Sequence, residues 1–528
     1  MFRLSTLLAL FSMVTAGFAQ TPCDRLKLSF PDAMVTSVEF VPAGPFKAPT
    51  PQIAPIPAPQ SEAELAGSGV AARAAVEPRP RPGGATAALP APAYCRVMMI
   101  LTPSADSKIE AAVFLPAEGW NGKLQVVGNG GWAGTVSYAE MAAALREGYA
   151  TASNDTGHRA ADLGGGGMFA LDHPEKIADF AYRAMHETVV KAKLITVAFY
   201  GRGPKYSYYN GCSTGGRQGL IEATRFPEDF DAISAGAPAN PHVHLHAAGV
   251  ERSLALMKNN APLTQEKVEV LHKAVMDACD GLDGVKDGII GNPERCHYDP
   301  SALLCKNGDG PACLTPAQLK TVEIVFGDVK TRTGEVVWTG YPVGTELQLA
   351  QLRNVPASPG GVWDVIRILG HQNKDYDWHH FDLTSEVAQA DKAGIDVLTF
   401  DLAAFKAHGG KLLLYHGWAD PGIPPGHTVS YYKTVLDTMG GKQDDWFRLF
   451  MEPGMAHCRG GVGPDQFDKM GVIERWREAG DAPGAILSSR VTNGTVDMTR
   501  PLCPYPQVAV YKGVGSTNDA ANFSCKQP

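Results

Sequence analysis

Short apolar runs separated by polar turns recur along the first half of the chain, and such runs are typical of buried strands. They predict strands at Arg96–Thr102, Ile109–Leu115, Leu124–Gly128, Tyr149–Ser153 and Tyr206–Asn210. Between and after them lie segments with a helical period, at Tyr138–Glu147, Ile177–Phe199 and Gly216–Thr224. Because strands alternate with helices, the pattern predicts an α/β fold with a mainly parallel, doubly wound sheet.

This alternation stops after about Pro241 and returns at two apolar strands, Lys411–His416 and Trp446–Met451. The residues between hold helical stretches, many turns and four of the ten cysteines. A domain inserted into the sheet explains the break better than three domains in series. Such an insertion normally covers the carboxyl edge of the sheet, where ligand sites form.

We therefore expect residues 20–240 and 401–528 to form one catalytic domain and residues 241–400 to form an inserted lid domain. Residues 44–94 are rich in Pro, Ala and Gly, and cannot bury enough apolar surface to offset their ordering entropy. We expect them to form an extended or mobile excursion from the catalytic domain.

The first residues have the pattern of an export signal. Arg3 supplies a positive charge, an apolar run follows from Leu4 to about Phe18, and small residues end it. The run is short for a membrane span, and an uncleaved anchor is the alternative. We predict that residues 1–19 are a cleaved signal peptide, which leaves a secreted or periplasmic protein without a membrane segment.

Charge and cysteine content narrow the class of partner. The 528 residues carry a formal net charge of −8 and no basic block, which argues against a nucleic-acid partner and for a small molecule. An even number of cysteines in an exported chain favours disulfides, and the absence of a CxxC pair disfavours zinc. Pairing of sequence neighbours gives Cys279–Cys296, Cys305–Cys313 and Cys503–Cys525, and leaves Cys23–Cys95 and Cys212–Cys458.

The sequence GCSTG at 211–215 is a GxSxG motif that directly follows a predicted strand and precedes a predicted helix. Small residues at both ends allow a sharp turn that lifts Ser213 clear of the sheet. The adjacent helix N-terminus favours developing negative charge. Ser213 is therefore the candidate nucleophile, and a plain helix-start turn is the alternative.

The cysteines select the base among fifteen histidines. Cys212 precedes Ser213 and Cys458 follows His457, so a disulfide between them would hold serine and histidine side by side. Two separate structural thiols are the alternative.

Asp420 follows the strand Lys411–His416 and lies between serine and histidine in the chain order that α/β-hydrolases use. Its carboxylate would orient the imidazole. Asp401 lies at the wrong end of that strand, and Glu452 is only five residues from His457, so we prefer Asp420.

Acyl transfer also needs donors for an oxyanion. The amide of Thr214 follows the nucleophile and is one candidate. The glycine-rich turn after the third predicted strand supplies the other, from Gly130 or Gly131. A phosphate cradle is the alternative use of such a turn, but the spacing of a dinucleotide or P-loop fingerprint is absent.

The segment CDGLDGVKDGI places Asp280, Asp283 and Asp287 in a glycine-rich loop. Ca²⁺ prefers several oxygens from a flexible loop. The spacing is not that of an EF-hand, and a solvated turn is the alternative. We interpret the loop as a structural calcium site distant from the triad.

Taken together, the GCSTGG and MAHC segments, Asp420 and the DGLDGVKDG loop resemble the tannase and feruloyl esterase family. That family includes the mono(2-hydroxyethyl) terephthalate hydrolases. The resemblance implies an α/β-hydrolase fold with a large lid, five disulfides, and Ser213, Asp420 and His457 as triad. It also implies Ca²⁺ on the three aspartates and on the carbonyls of Val285 and Ile289.

The resemblance further implies hydrolysis of aromatic acid esters of feruloyl, galloyl or terephthaloyl type through an acyl-enzyme. The alternatives are terephthalate monoester hydrolysis as the main activity, a peptide or lipid substrate, and an exported protein that only binds aromatic ligands. Candidate aromatic walls are Trp338, Trp363, Trp378 and Phe381, and candidate partners for a substrate carboxylate are Arg353 and Arg367.

Overall fold

The fold is a computed structural model that describes residues 20–50, 90–160 and 166–528. The predicted signal peptide and most of the Pro/Ala-rich excursion lie outside these residues. The strands of the described residues, in chain order, are β1 (Ala33–Val41), β2 (Gly44–Pro45), β3 (Pro90–Ala91), β4 (Tyr94–Leu101), β5 (Ile109–Pro116), β6 (Lys123–Val127), β7 (Ala150–Asn154), β8 (Tyr206–Cys212), β9 (Ala232–Gly236), β10 (Val329–Lys330), β11 (Val336–Trp338), β12 (Lys411–Gly417), β13 (Phe447–Glu452), β14 (Ile486–Thr492), β15 (Thr495–Leu502), β16 (Val508–Tyr511) and β17 (Phe523–Lys526).

The α-helices of the same residues are α1 (Tyr138–Arg146), α2 (Pro174–Ala178), α3 (Ala184–Tyr200), α4 (Thr214–Arg225), α5 (His242–Asn259), α6 (Gln265–Cys279), α7 (Pro316–Phe326), α8 (Leu383–Ala390), α9 (Ala403–Ala407), α10 (Gly426–Thr438) and α11 (Lys469–Ala479). One π-helical turn, Asp179–Arg183, joins α2 to α3, so the predicted helix at 177–199 is interrupted. None of these helices has both the length and the apolar character needed to cross a membrane.

A nine-stranded sheet forms the centre of the molecule, in the order β1-β4-β5-β7-β6-β8-β9-β12-β13. Neighbours from β7 to β13 are parallel, whereas β1, β4, β5 and β7 pair antiparallel. Strands β5, β7 and β9 are buried along their full length because helices cover both faces. The predicted α/β-hydrolase sheet is confirmed, as a mixed and mostly parallel sheet.

The long segment between β9 and β12 runs through α5 to α9 and the small β10–β11 ladder. Its apolar residues form two clusters, one around Trp338, Trp363 and Ile366 and one around Leu271, Val325 and Leu349. The segment leaves the sheet after β9 and rejoins it at β12, which lies next to β9. It is therefore an insertion between two neighbouring parallel strands.

The two ends of the Pro/Ala-rich excursion lie close together. The short strands β2 and β3 pair antiparallel, and the Cys23–Cys95 disulfide joins the chain before β1 to β4. The insertion of this segment therefore begins and ends at one edge of the main sheet.

Candidate active site

Four strands of the parallel half deliver their following loops to the same edge of the sheet. The glycine-rich turn follows β6, Ser213 follows β8, Asp420 follows β12 and His457 follows β13. Because β6, β8, β9, β12 and β13 are adjacent and parallel, their carboxyl ends meet there. Residues that lie more than 200 positions apart in the chain are thus gathered at one edge.

Ser213 occupies a strained turn between β8 and α4. Its φ of 67° and ψ of −124° lie in a region that non-glycine residues rarely adopt, at a typical cost of about 1–3 kcal/mol. Its N–H donates to the carbonyl of Gly236 (2.9 Å), and its own carbonyl accepts from the N–H groups of Arg217 and Ala239 (both 3.1 Å). These bonds hold the strain in place and leave the side chain half-buried at the edge.

Close backbone approach explains the glycines around this serine. A Cβ at Gly211 would lie 2.7 Å from the carbonyl oxygen of Gly215, and one at Gly216 would lie 2.2 Å from that of Gly236. Both contacts are impossible without backbone movement. Gly211, the first glycine of the motif, and Gly216, which directly follows the motif, are therefore required by close packing at the turn.

Asp420 and His457 form a short hydrogen bond at this edge. The distance from Asp420 Oδ2 to His457 Nδ1 is 2.6 Å, and Asp420 is fully buried while a third of the His457 side chain is exposed. The other carboxylate oxygen, Oδ1, accepts from the N–H groups of Gly422 (2.8 Å) and Ile423 (2.9 Å). The carboxylate is thus fixed with one oxygen directed at the imidazole.

A second histidine, which the sequence reasoning missed, contacts the same oxygen. His416 Nε2 lies 3.1 Å from Asp420 Oδ2, and its Nδ1 lies 2.8 Å from Thr428 Oγ1. Burial would raise the pKa of Asp420, but the hydrogen bonds from His416 and His457 outweigh it and hold the pKa well below its usual range. The carboxylate is therefore ionised at neutral pH.

The five disulfides of the structure are the five pairs expected from the sequence. The Cys212–Cys458 bond spans 246 positions and places the two Cα atoms 6.2 Å apart. Because Cys212 and Cys458 are adjacent to Ser213 and His457, it ties the loop after β8 to the loop after β13. The structure thus brings the three predicted triad residues to one place.

The glycine-rich turn is fastened to the serine turn from the other side. Thr214 Oγ1 donates to the carbonyl of Gly131, and the N–H of Gly215 donates to the carbonyl of Asn129 (2.8 Å). Gly130 and Gly131 are exposed, and a Cβ at either would meet no atom within 4 Å. Both predicted sources of oxyanion donors, the amides at 130–131 and at 214, therefore lie on two turns that are bonded to each other.

An aromatic and histidine cluster lies beside the segments that flank the serine. The Trp132 ring centroid is 5.5 Å from that of Phe180, 4.9 Å from His242 and 5.4 Å from His246. Burial lowers the pKa of both histidines, to about 4 for His246, so both are neutral at pH 7. The four rings form an aromatic cluster, and the Arg217 guanidinium lies over the Phe180 ring at 4.6 Å from its centroid. The signal in the sequence is the histidine spacing of four in PHVHLH, at 241–246 after β9.

The predicted lid aromatics have mixed positions. Trp338 and Trp363 are buried in the core of the insertion, where Trp338 stacks on His427 at 4.1 Å, whereas Trp378 and Phe381 are half-buried. The predicted carboxylate partners are engaged elsewhere. The Arg353 side chain donates to Gln265, and that of Arg367 donates to Asp364 and to the carbonyl of Lys374.

The predicted calcium loop holds its carboxylates apart from a common point. Asp280 accepts from the backbone N–H groups of residues 287–289, Asp283 accepts from that of Val285, and Asp287 pairs with Arg500. Within the described residues, no group of three or more His, Cys, Asp or Glu side chains is arranged to hold a metal. As arranged, these side chains do not form a calcium ligand set.

Burial nevertheless leaves this loop with poorly compensated negative charge. It raises the pKa of Asp283 to about 6 and raises that of Asp287, and the neighbouring carboxylates act in the same direction. Arg500 is the opposing charge. The donor chemistry suits a hard cation even though the arrangement does not.

The fold and sequence were compared with known proteins. The family model described as tannase and feruloyl esterase matches residues 95–526. A probable feruloyl esterase B of Aspergillus clavatus is 32% identical over 99% of this chain and 100% of its own length. An uncharacterized esterase of Xanthomonas campestris is 34% identical over 99% of this chain and 94% of its own length.

Two solved structures are similar over most of the chain. Feruloyl esterase B from Aspergillus oryzae has a TM-score of 0.81 at 31% identity and covers 96% of this chain and 99% of its own. Tannin acyl hydrolase from Aspergillus niger has a TM-score of 0.70 at 20% identity and covers 82% of this chain and 86% of its own. At 20% identity, the tannin acyl hydrolase shows a common fold and does not indicate a common substrate.

Proposed function

Because the chain belongs to the tannase and feruloyl esterase family of carboxylic ester hydrolases, we propose that it cleaves esters of hydroxycinnamic acids of the feruloyl type through an acyl-enzyme on Ser213. The observation that carries this proposal is the strained serine beside the Asp420–His457 pair, with a disulfide between the residues next to serine and histidine.

The proposed chemistry has two halves. His457 takes the Ser213 hydroxyl proton while Oγ attacks the ester carbonyl, and the amides of Thr214 and of Gly130 or Gly131 stabilise the oxyanion. The alcohol leaves with the proton from His457, and water then attacks the acyl-enzyme by the same route. Asp420 remains ionised throughout and stabilises the imidazolium, as its lowered pKa allows.

The choice of acyl group rests on three observations. The two relatives reported above that are named feruloyl esterase B are 32% and 31% identical to this chain. The cluster of Trp132, Phe180, His242 and His246 is aromatic, and its two histidines are neutral at neutral pH. A terephthaloyl monoester carries a carboxylate, and the predicted arginine partners are already bonded to other groups.

Structural calcium and export belong to the same proposal. The buried negative charge of the loop at Asp280, Asp283 and Asp287 supports Ca²⁺ binding, with the carbonyls of Val285 and Ile289 as further ligands, provided that the loop rearranges. The five disulfides support an oxidising, extracellular or periplasmic location.

An ester panel with product chromatography tests the proposal. Purified protein is given methyl ferulate, methyl gallate, mono(2-hydroxyethyl) terephthalate and p-nitrophenyl butyrate, with Ser213→Ala as the control. We expect the highest kcat/KM on methyl ferulate and no turnover in the variant. A preference for the terephthalate or gallate ester would overturn the acyl assignment, and an active Ser213→Ala would overturn the mechanism.

A further inference from the structure

We infer that His416 is a positioning residue of the triad, which holds the Asp420 carboxylate toward His457 and sets the basicity of that carboxylate. This inference rests on the proposed Ser213–His457–Asp420 triad and adds a fourth and a fifth member, His416 and Thr428, behind it. Nothing in the reaction requires these residues to touch the substrate.

The hydrogen-bond partners of His416 determine its tautomer. Nε2 lies 3.1 Å from Asp420 Oδ2 and 3.1 Å from the carbonyl oxygen of Ile423, and both of these atoms only accept. The hydrogen must therefore be on Nε2. Nδ1 lies 2.8 Å from Thr428 Oγ1, a hydroxyl that can donate to the free lone pair. Thr428 thus stabilises the tautomer that donates to Asp420.

The position of His416 makes it a rigid support for a loop residue. It lies within β12 and is paired with Met451 of the neighbouring strand β13, and its side chain is fully buried. Asp420 lies four residues later in the loop. The contact therefore connects the triad carboxylate to the central sheet, where a side chain has little freedom to move.

All four hydrogen bonds of Asp420 come from groups of fixed position. Two amides hold Oδ1, while the imidazoles of His416 and His457 share Oδ2. A carboxylate oxygen that accepts from a second donor is a weaker acceptor for the first. His416 therefore competes with the His457 imidazolium for Asp420 Oδ2, and its removal should strengthen the Asp420–His457 pairing.

Two other ionisable groups near this carboxylate have pKa values that burial raises away from the acid range. Tyr341, on the inserted segment, has its pKa raised by burial, and the Arg252 guanidinium lies over its ring at 5.1 Å. Glu452, on the neighbouring strand, has its pKa raised by burial to about 8. A change in the acid limb of the activity profile thus reports the coupled Asp420–His457–His416 group.

Two substitutions of His416 separate positioning from bulk packing. His416→Gln retains an N–H near the position of Nε2, whereas His416→Leu removes it at similar size. We expect His416→Leu to lower kcat/KM on the best ester by about tenfold to a hundredfold, and to move the acid limb of the kcat/KM profile to higher pH. We expect His416→Gln to stay within about threefold of the parent with an unmoved acid limb.

Folding is checked for each variant by circular dichroism and thermal unfolding, and Ser213→Ala is measured in parallel. If His416→Leu is folded and its acid limb is that of the parent, the inference is overturned, whether or not its rate falls. Should His416→Leu fail to fold, Thr428→Val decides, because it removes the donor to Nδ1. A smaller shift of the acid limb in the same direction supports the inference, and no shift overturns it.

Failure of the inference and failure of the proposed function have different signatures. An inactive Ser213→Ala together with an unaffected His416→Leu would leave the triad standing and remove His416 from it. An active Ser213→Ala would remove the triad itself.

Discussion

Asp420 and Glu452 are two fully buried carboxyl groups at the carboxyl ends of neighbouring strands, and they differ in how many hydrogen bonds they accept. The strands β12 and β13 are paired so that Gly417 lies opposite Glu452. Asp420 accepts four hydrogen bonds, whereas neither side-chain oxygen of Glu452 has a partner. The pKa of Asp420 is lowered, while burial raises that of Glu452 to about 8, although Lys469 lies nearby.

This difference shows that donors, and not burial or closeness along the chain, determine which acid can serve His457. Burial alone disfavours a charged carboxylate and leaves Glu452 protonated at neutral pH. Two imidazoles and two amides reverse that preference for Asp420. Glu452 is five residues from His457 in the sequence, yet Asp420, 37 residues away, makes the short contact.

The largest effect is expected when the four-donor site is broken. Asp420→Asn should lower kcat/KM on the best ester by about 10⁴-fold, since an amide cannot stabilise the imidazolium or hold its tautomer. The matched control is Asp401→Asn, an exposed aspartate whose side chain caps the backbone N–H of Ala403. Steady-state kinetics should show parental activity for this control, and an equal loss in both variants would refute the assignment.

Removal of the disulfide beside the site should have the next largest effect. The double variant Cys212→Ala/Cys458→Ala should lose activity by about tenfold or more and stability by about 2–5 kcal/mol. The matched control, Cys305→Ala/Cys313→Ala, opens a loop of 8 positions instead of 246 in the inserted segment.

The Cys305→Ala/Cys313→Ala control should lower the urea denaturation midpoint and leave kcat unchanged. If the first double variant is folded and as active as the second, the disulfide does not position serine and histidine. Both quantities are read from urea unfolding and from kinetics on the same preparations.

Glu452 provides the reverse test, on stability. Its folded pKa lies above its ordinary value of 4.5, so its contribution is full below pH 4.5 and is lost as the pH rises through about 8. Glu452→Gln should remove this loss. The free energy of unfolding of the variant, relative to that of the parent, should therefore be higher at pH 8.5 than at pH 5 by roughly 1 kcal/mol or more. Urea unfolding at the two pH values measures the difference.

Activity of Glu452→Gln at pH 6.5 should remain within about twofold of the parent, because the neutral amide resembles the protonated acid. A loss comparable to that of Asp420→Asn would mean that the two carboxyl groups do not have the different roles described above.

The smallest effect is expected at the aspartate loop of the insertion. Its carboxylates have some hydrogen-bond donors, fewer than Asp420 but more than Glu452. If Ca²⁺ binds there, adding it after EDTA treatment should raise the melting temperature by a few degrees without changing kcat. Asp283→Asn should abolish the increase, and Asp277→Asn, an exposed helical aspartate paired with Lys273, should retain it. Equal increases in both variants would place any ion elsewhere.

The sequence predicted β6, β7, β8, β12 and β13 of the parallel half closely, with bounds that differ by at most two residues at, for example, β7, β8 and β12. It missed β9 (Ala232–Gly236), which lies between β8 and β12 in the sheet. It also predicted the position of Ser213, since the motif, the strand and the helix coincide. The pairing of cysteines supplied the one long-range restraint available, and that restraint selected His457.

Other features had no signal of this kind. β1 lies at the edge of the sheet and consists of exposed and half-buried residues without a regular alternation, so its pattern was weak. In the sequence, His416 is only the residue that ends the apolar run KLLLYH. Its contact with Asp420 depends on how the following loop folds back. Trp132 and His242 are 110 positions apart, and their contact depends on tertiary packing.

The covalent state of Ser213 tests the central claim most directly. The protein is treated with a fluorophosphonate, and its intact mass and peptide map are measured beside those of Ser213→Ala. We predict one adduct on the peptide that contains Ser213, loss of methyl ferulate hydrolysis in proportion to labelling, and no adduct in the variant. An enzyme that hydrolyses the ester but carries no adduct, or carries it on another residue, would contradict the proposed triad.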